Sequence, residues 1–167
     1  MLVAVSSSRR VLELGTYTGF TALMMAAALP PHGELVTCES DAHRAAVAQR
    51  YFDRSPYGAR IRLVVRHAAE VLALLEPGFN LIFVDIGATA AAAVYEQCLA
   101  LLAPKGLLVI DNVLARGTVL DPRSDYGRAA GALNERIAAD ERVTQVMLTV
   151  RDGLMLIRRK RADGVCG

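Results

Sequence analysis

Apolar positions along the 167-residue chain follow two alternating rhythms. Runs of strand length, "RRVLELG", "ELVTCES", "RIRLVV", "NLIFVD" and "GLLVID", are rich in Val, Leu and Ile with few interruptions, as in strands covered on both faces. Between them lie helical patterns, "FTALMMAAAL", "AHRAAVAQRYF", "AAEVLALL" and "AVYEQCLALL", the last preceded by the alanine-rich "ATAAAAV". Repeated strand-helix units predict an α/β fold around a mostly parallel, doubly wound sheet. The rhythm breaks at the end, where "RVTQVMLTV" and "GLMLIRRK" are separated only by "RDG". That link is too short for a helical crossover and suits a hairpin, so the last of seven strands is expected to run antiparallel.

Length and composition narrow this picture. One domain spanning residues 1–167 is expected, with 1–8 a disordered stretch or partial lid and 161–167 a tail. No apolar run approaches the roughly 18 residues of a membrane span, and the arginines of "MLVAVSSSRR" follow its apolar patch, the reverse of a secretory signal. The expectation is a cytoplasmic protein that does not engage membranes. A net charge of +2, no Trp and 5% aromatic residues argue against a nucleic-acid platform, and "RRKR" from Arg158 to Arg161 reads as a solvated strand end. Cys38, Cys98 and Cys166 have neither disulfide nor metal spacing and read as reduced bystanders.

Candidate chemistry gathers at the carboxyl ends of the predicted strands. "VLELGTYTG" sets Glu13, Gly15 and Gly19 at the first strand-helix junction, where glycines permit a tight turn and close approach of a ligand. The spacing is E-x-G-x-x-x-G rather than the dinucleotide G-x-G-x-x-G, and an acid before the turn suits a cationic ligand better than a pyrophosphate. Glu39 ends the second strand 24 residues beyond Gly15, near the offset at which an acid grips ribose hydroxyls, and Asp41 reads as a helix N-cap. "FVDIG" and "VIDNV" end the fourth and fifth strands with Asp85, Asp111 and Asn112. Adjacent parallel strands would bring these three side chains together, and two carboxylates with a carboxamide oxygen suit Mg²⁺. His32, His43 and His67 lack ligand spacing and read as exposed; Met24 and Met25 read as packing in the core or beside the cofactor; Gly33 beside Pro30 and Pro31 reads as a turn.

Taken together, "VLELGTYTGFTAL", "VTCESD", "DNVLARGTVLDP" and "RDGLMLIRR" resemble the cation-dependent O-methyltransferases of the caffeoyl-CoA and catechol O-methyltransferase-like family, from about Arg9 to Arg159. The resemblance implies a Rossmann-like methyltransferase fold, whose mostly parallel sheet ends in an antiparallel hairpin, and S-adenosylmethionine as cofactor. It places Glu13, Gly15 and Thr21 around the methionine end, Glu39 on the ribose and Ala68 beside the adenine. Thr16, Tyr17, Gly19, Ser40 and Asp85 complete the implied cofactor set. Asp85, Asp111 and Asn112 match the family's metal ligands, for Mg²⁺ first and Mn²⁺ or Ca²⁺ as alternatives.

Departures from the family pattern are local. Where its members usually read D-A-D-K, this chain has Asp85, Ile86, Gly87 and Ala88, so the base lysine is absent, and Ala91 stands where Tyr is common. Ala115 and Arg116 replace the usual Trp and Ser, so the expected acceptor pocket loses an aromatic wall and gains a cation. Only ten residues precede Val11, too few for the family's helical lid, which leaves the site open or covered by another subunit; a homodimer is expected. The leading expectation is metal-assisted O-methylation of a small molecule with adjacent hydroxyls. The alternatives are a weak or inactive cofactor-binding remnant serving as a partner or scaffold, and, disfavoured by glycine spacing and terminal hairpin, a nicotinamide-dependent oxidoreductase.

Overall fold

A computed structural model describes residues 1–121 and 123–160. Seven strands form one sheet in the order β3-β2-β1-β4-β5-β7-β6: β1 (Arg10–Leu14), β2 (Glu34–Glu39), β3 (Ile61–Val65), β4 (Phe79–Val84), β5 (Leu102–Asp111), β6 (Val143–Leu148) and β7 (Leu154–Arg159). Pairings from β3 through β5 are parallel, and β7 runs antiparallel to both β5 and β6, as the short "RDG" link requires.

The helices pack in two layers, one on each side of the sheet. Helices α2 (Phe20–Ala27) and α3 (Ala42–Asp53) bury Ala22, Ala26, Ala48 and Phe52 against Val11, Leu35 and Leu81. On the other face α4 (Ala68–Leu72), α5 (Ala88–Leu101) and α6 (Asp125–Ala138) bury Val71, Tyr95, Leu133 and Ile137 against Leu12, Ile82, Leu108 and Ile157. Asp41 caps α3 as expected, accepting from the amides of His43 and Arg44.

Three features differ from the sequence expectations. Residues expected to be disordered or a partial lid include a short helix, α1 (Leu2–Val5), ordered because Val3 joins the core beside Val11 and Leu81. Helix α6 was missing from the expected pattern; Ser124 caps it by accepting from the Gly127 amide, and Ala130, Leu133 and Ile137 form its buried stripe. Met24 is 54% exposed rather than packed, because α1 leaves open an apolar groove of about 260 Å³ between α2 and the β4–β5 face. The 161–167 tail, Arg161 and Cys166 lie outside the described residues.

The sheet reverses direction of growth between β1 and β4. The carboxyl ends of such neighbours diverge into a crevice where α/β folds hold ligands. Here the two tips are tied: the Asp85 amide donates to the Leu14 carbonyl at 2.9 Å.

Candidate functional site

The crevice is a cleft of about 470 Å³ walled by Gly15, Tyr17, Glu39, Ser40, Ala68 and Asp85, all from the expected cofactor set. Gly15 has φ +99, and a Cβ there would sit 2.3 Å from the Asp85 carbonyl oxygen. Only glycine lets the β1 loop lie this close to the β4 tip. Glu39 is 7% exposed, and both its oxygens are anchored: Oε2 accepts from the Tyr17 amide at 2.8 Å and Oε1 from the Asp41 amide at 3.0 Å. A carboxylate has about four acceptor positions, so capacity remains for ligand hydroxyls.

Four expected cofactor residues are not on this wall. Glu13 and Thr16 are buried beneath it, because β1 alternation turns Glu13 toward the face covered by α2. There Thr37 Oγ1 donates to Glu13 Oε2 and shares a 2.6 Å hydrogen bond with Thr16 Oγ1, while Glu13 Oε1 has no partner among the described residues. Burial pushes the Glu13 carboxyl up to about 8, partly offset by the Thr37 bond and reinforced by repulsion from Asp85 and Glu39. Gly19 is the left-handed N-cap of α2, where a Cβ would strike the Phe52 ring at 2.6 Å. Thr21 lines the apolar groove with α1.

Arg44, Arg66 and His67 also wall the cleft and were missed in the sequence. Arg44 stacks 5.1 Å over the Tyr17 ring and lies 3.7 Å from Asp41, a pairing that the i,i+3 spacing could have signalled. His67 is exposed, as expected, but immediately precedes Ala68 and so shares its place at the start of α4.

Beside the cleft, Asp85 and Asp111 follow the paired positions Val84 and Ile110 on adjacent parallel strands. Burial raises the Asp85 pKa, repulsion from Asp111 raises it further, and Arg151 opposes both. Asn112 follows in a left-handed conformation, φ +64, with its amide donating to Asp111 Oδ1 at 2.7 Å. It also lines a second, open cavity of about 630 Å³ with Leu114, Arg116, Gly117, Arg151 and Asp152. Among the described residues no three His, Cys, Asp or Glu side chains cluster as a metal cage. Two mutually repelling carboxylates next to a carboxamide are nevertheless a hard-oxygen set that fits a Mg²⁺-like ion retaining water or ligand oxygens.

The comparisons with known proteins agree with this geometry. Residues 1–160 match the sequence family described as O-methyltransferase. The catechol O-methyltransferase domain-containing protein 1 of Mus musculus is 38% identical over 93% of this chain, and the chain spans 62% of that relative's length. The catechol O-methyltransferase of Niastella koreensis is 34% identical over 99% of this chain and 75% of its own. The O-methyltransferase from Bacillus cereus, solved in complex with S-adenosylhomocysteine, superposes with a TM-score of 0.87 at 29% identity, covering 95% of this chain and 77% of that one. With a match that runs from the first residue through the terminal hairpin, on the expected mostly parallel seven-stranded sheet closed by antiparallel strands, the chain belongs to the O-methyltransferase family.

Proposed function

We propose that this chain transfers the sulfonium methyl of S-adenosylmethionine to one of two adjacent hydroxyls on a small molecule, assisted by a divalent cation at Asp85, Asp111 and Asn112. The observation that carries this reading is the meeting of the Gly15–Glu39–Asp85 cleft with the paired strand-tip carboxylates. Glu39 holds the ribose hydroxyls from a carboxylate already fixed by two amides. Ala68 leaves room for the adenine, and Asp85 faces the cationic end of the cofactor. A bound divalent cation supplies the Lewis acidity that lowers the pKa of a coordinated hydroxyl. The residues around it would fix the acceptor oxygen, its proton given up to solvent, in line with the methyl; the new O–C bond forms as the S–C bond breaks, leaving S-adenosylhomocysteine. Holding reactants in this geometry accounts for much of the acceleration expected of a methyl transfer.

Incubation with trideuteromethyl-labelled S-adenosylmethionine, Mg²⁺ and catechol tests the reading, with labelled methyl ether as the expected product. A second reading is favoured by Ala88, which stands where the resemblance calls for a lysine, and by a second cavity lined by neither lysine nor histidine among the described residues. On that reading the chain binds the cofactor but turns over weakly or not at all and serves as a partner or scaffold. Loss of a general base costs roughly 10²–10⁴ in rate, so single-turnover measurements at high enzyme concentration separate a slow enzyme from an inactive one. A two-fold dimer in the cytoplasm belongs to the leading proposal: Met24, 54% exposed in the α1 groove, with Val5 of α1 and Phe20 of α2, exposed by 78% and 73%, is the apolar surface a second copy would cover.

A further inference from the structure

We infer that Arg116 and Arg151 make the second cavity a receptor for an oxyanion substituent on the methyl acceptor, so that the acceptor is an anionic rather than a neutral hydroxyl compound. This rests on the proposed reading of the neighbouring cleft and names the substrate class of the same site.

The two arginines come from distant parts of the chain. Arg116 lies in the short turn after β5, and Arg151 in the hairpin between β6 and β7. The segments are stitched together: the Arg116 amide donates to Asp152 Oδ1 at 2.6 Å, and the Leu114 amide donates to the Asp152 carbonyl at 2.9 Å. Both arginines line the cavity that Asn112 shares, so their charge stands beside the acceptor end of the site.

Their guanidiniums are available. Neither forms a hydrogen bond or an ion pair among the described residues, and Asp152, the acid on the same cavity wall, has one oxygen engaged by the Arg116 backbone. Arg151 is close enough to Asp85 to oppose the rise of its pKa, which places it at the boundary between the acid pair and the cavity. The backbone here is also unusual: Asn112, Arg116 and Arg151 adopt φ of +64, +54 and +52, values that side chains larger than glycine rarely take. Two planar guanidinium forks with no internal partner fit the oxygens of a carboxylate or phosphate better than any neutral group. At about 630 Å³ the cavity has room for one substituted aromatic ring.

Isothermal titration of protein saturated with S-adenosylhomocysteine and Mg²⁺ tests this with a matched pair, 3,4-dihydroxybenzoate and its methyl ester. Both carry adjacent hydroxyls and differ in charge. The acid should bind roughly tenfold more tightly than the ester, or better, and the preference should shrink as salt rises. In the Arg116→Gln/Arg151→Gln double variant, with folding verified by circular dichroism, the acid-to-ester ratio should fall close to one. Adding 3,4-dihydroxyphenyl phosphate assigns the oxyanion, since a preference for either charged probe over the ester supports the site and their ranking names it. Equal binding of acid, phosphate and ester by the wild type overturns the inference. So does a double variant that weakens both alike, which would make Arg151 a counter-ion of Asp85 and not an acceptor contact. Methyl transfer separates the layers: equal KM for acid and ester with turnover removes the oxyanion site but keeps the reaction, whereas charge-selective binding without turnover keeps the site and removes the reaction.

Discussion

At Glu13 a carboxyl group is held away from water with one oxygen unpartnered among the described residues, and this has a consequence for stability. Its pKa in the folded chain, about 8, lies above the ordinary 4.5, so between these values the native state holds a proton that the unfolded chain releases. Stability from this group is complete below about pH 4.5 and is lost progressively as pH rises through 8. Asp140 acts oppositely: its hydrogen bond from Arg142 holds its carboxyl below the usual range, so its contribution fades as pH falls through the ordinary carboxylate value. Urea unfolding of the cofactor-free protein should therefore show greatest stability near pH 5 and a decline toward pH 8, a decline that Glu13→Gln flattens. Glu39→Ala should weaken S-adenosylhomocysteine binding by about 1.5–3 kcal/mol while the chain stays folded, the range for a hydrogen bond to a charged group. Titration calorimetry decides it, and an unchanged dissociation constant would remove Glu39 from the ribose. Both glutamates were visible in the sequence, but their separation into wall and foundation was not. E-x-G spacing marks a junction without saying that strand alternation turns Glu13 beneath α2.

Among the elements, the α5–α6 face is tied by a polar cluster at its edge. Tyr95, 0% exposed, sends its hydroxyl to Asp140 Oδ2 at 3.1 Å. Arg142 reaches Asp140 at 2.8 Å and Glu96 at 2.9 Å, and Arg136 reaches Glu96 at 3.0 Å while lying 5.1 Å over the Tyr95 ring. Tyr95→Phe should cost about 0.5–1.5 kcal/mol, since Asp140 keeps Arg142, whereas Tyr95→Ala should cost about 3–5 kcal/mol through lost packing. Equilibrium unfolding measures both. Continuous Val/Leu/Ile runs made the first five strands legible, the short "RDG" link marked the last two, and Asp41 announced the start of α3. Helix α6 was hidden by its glycines: a Cβ at Gly127 would lie 2.0 Å from the Thr118 carbonyl oxygen, so close packing on the turn after β5 demands a residue of poor helix propensity. The "RDG" link revealed a hairpin but not that β7 lies inside β6, nor that its Arg151 faces the turn bearing Arg116.

For the whole molecule, the groove beside α1 opens over the sheet at β4 and β5, where Leu81, Phe83 and Val109 form its floor. Light scattering over a concentration series should give twice the chain mass, and Met24→Glu should shift the population toward monomer because it places a charge in the apolar groove. A wild-type monomer at every concentration would remove the dimer from the account. The two halves of the site were legible as motifs because each ends a strand, but their meeting across β1, β4 and β5 depends on strand order, which spacing does not encode. That meeting underlies the central claim, and one measurement bears on it most directly: mass-spectrometric detection of label passing from trideuteromethyl S-adenosylmethionine to 3,4-dihydroxybenzoate. The account predicts a trideuteromethyl ether formed with Mg²⁺, suppressed by a chelator, and formed roughly a hundredfold more slowly by Asp111→Ala. A folded wild-type protein that binds S-adenosylhomocysteine yet yields no labelled ether in single-turnover conditions, with acid or with ester, would contradict it.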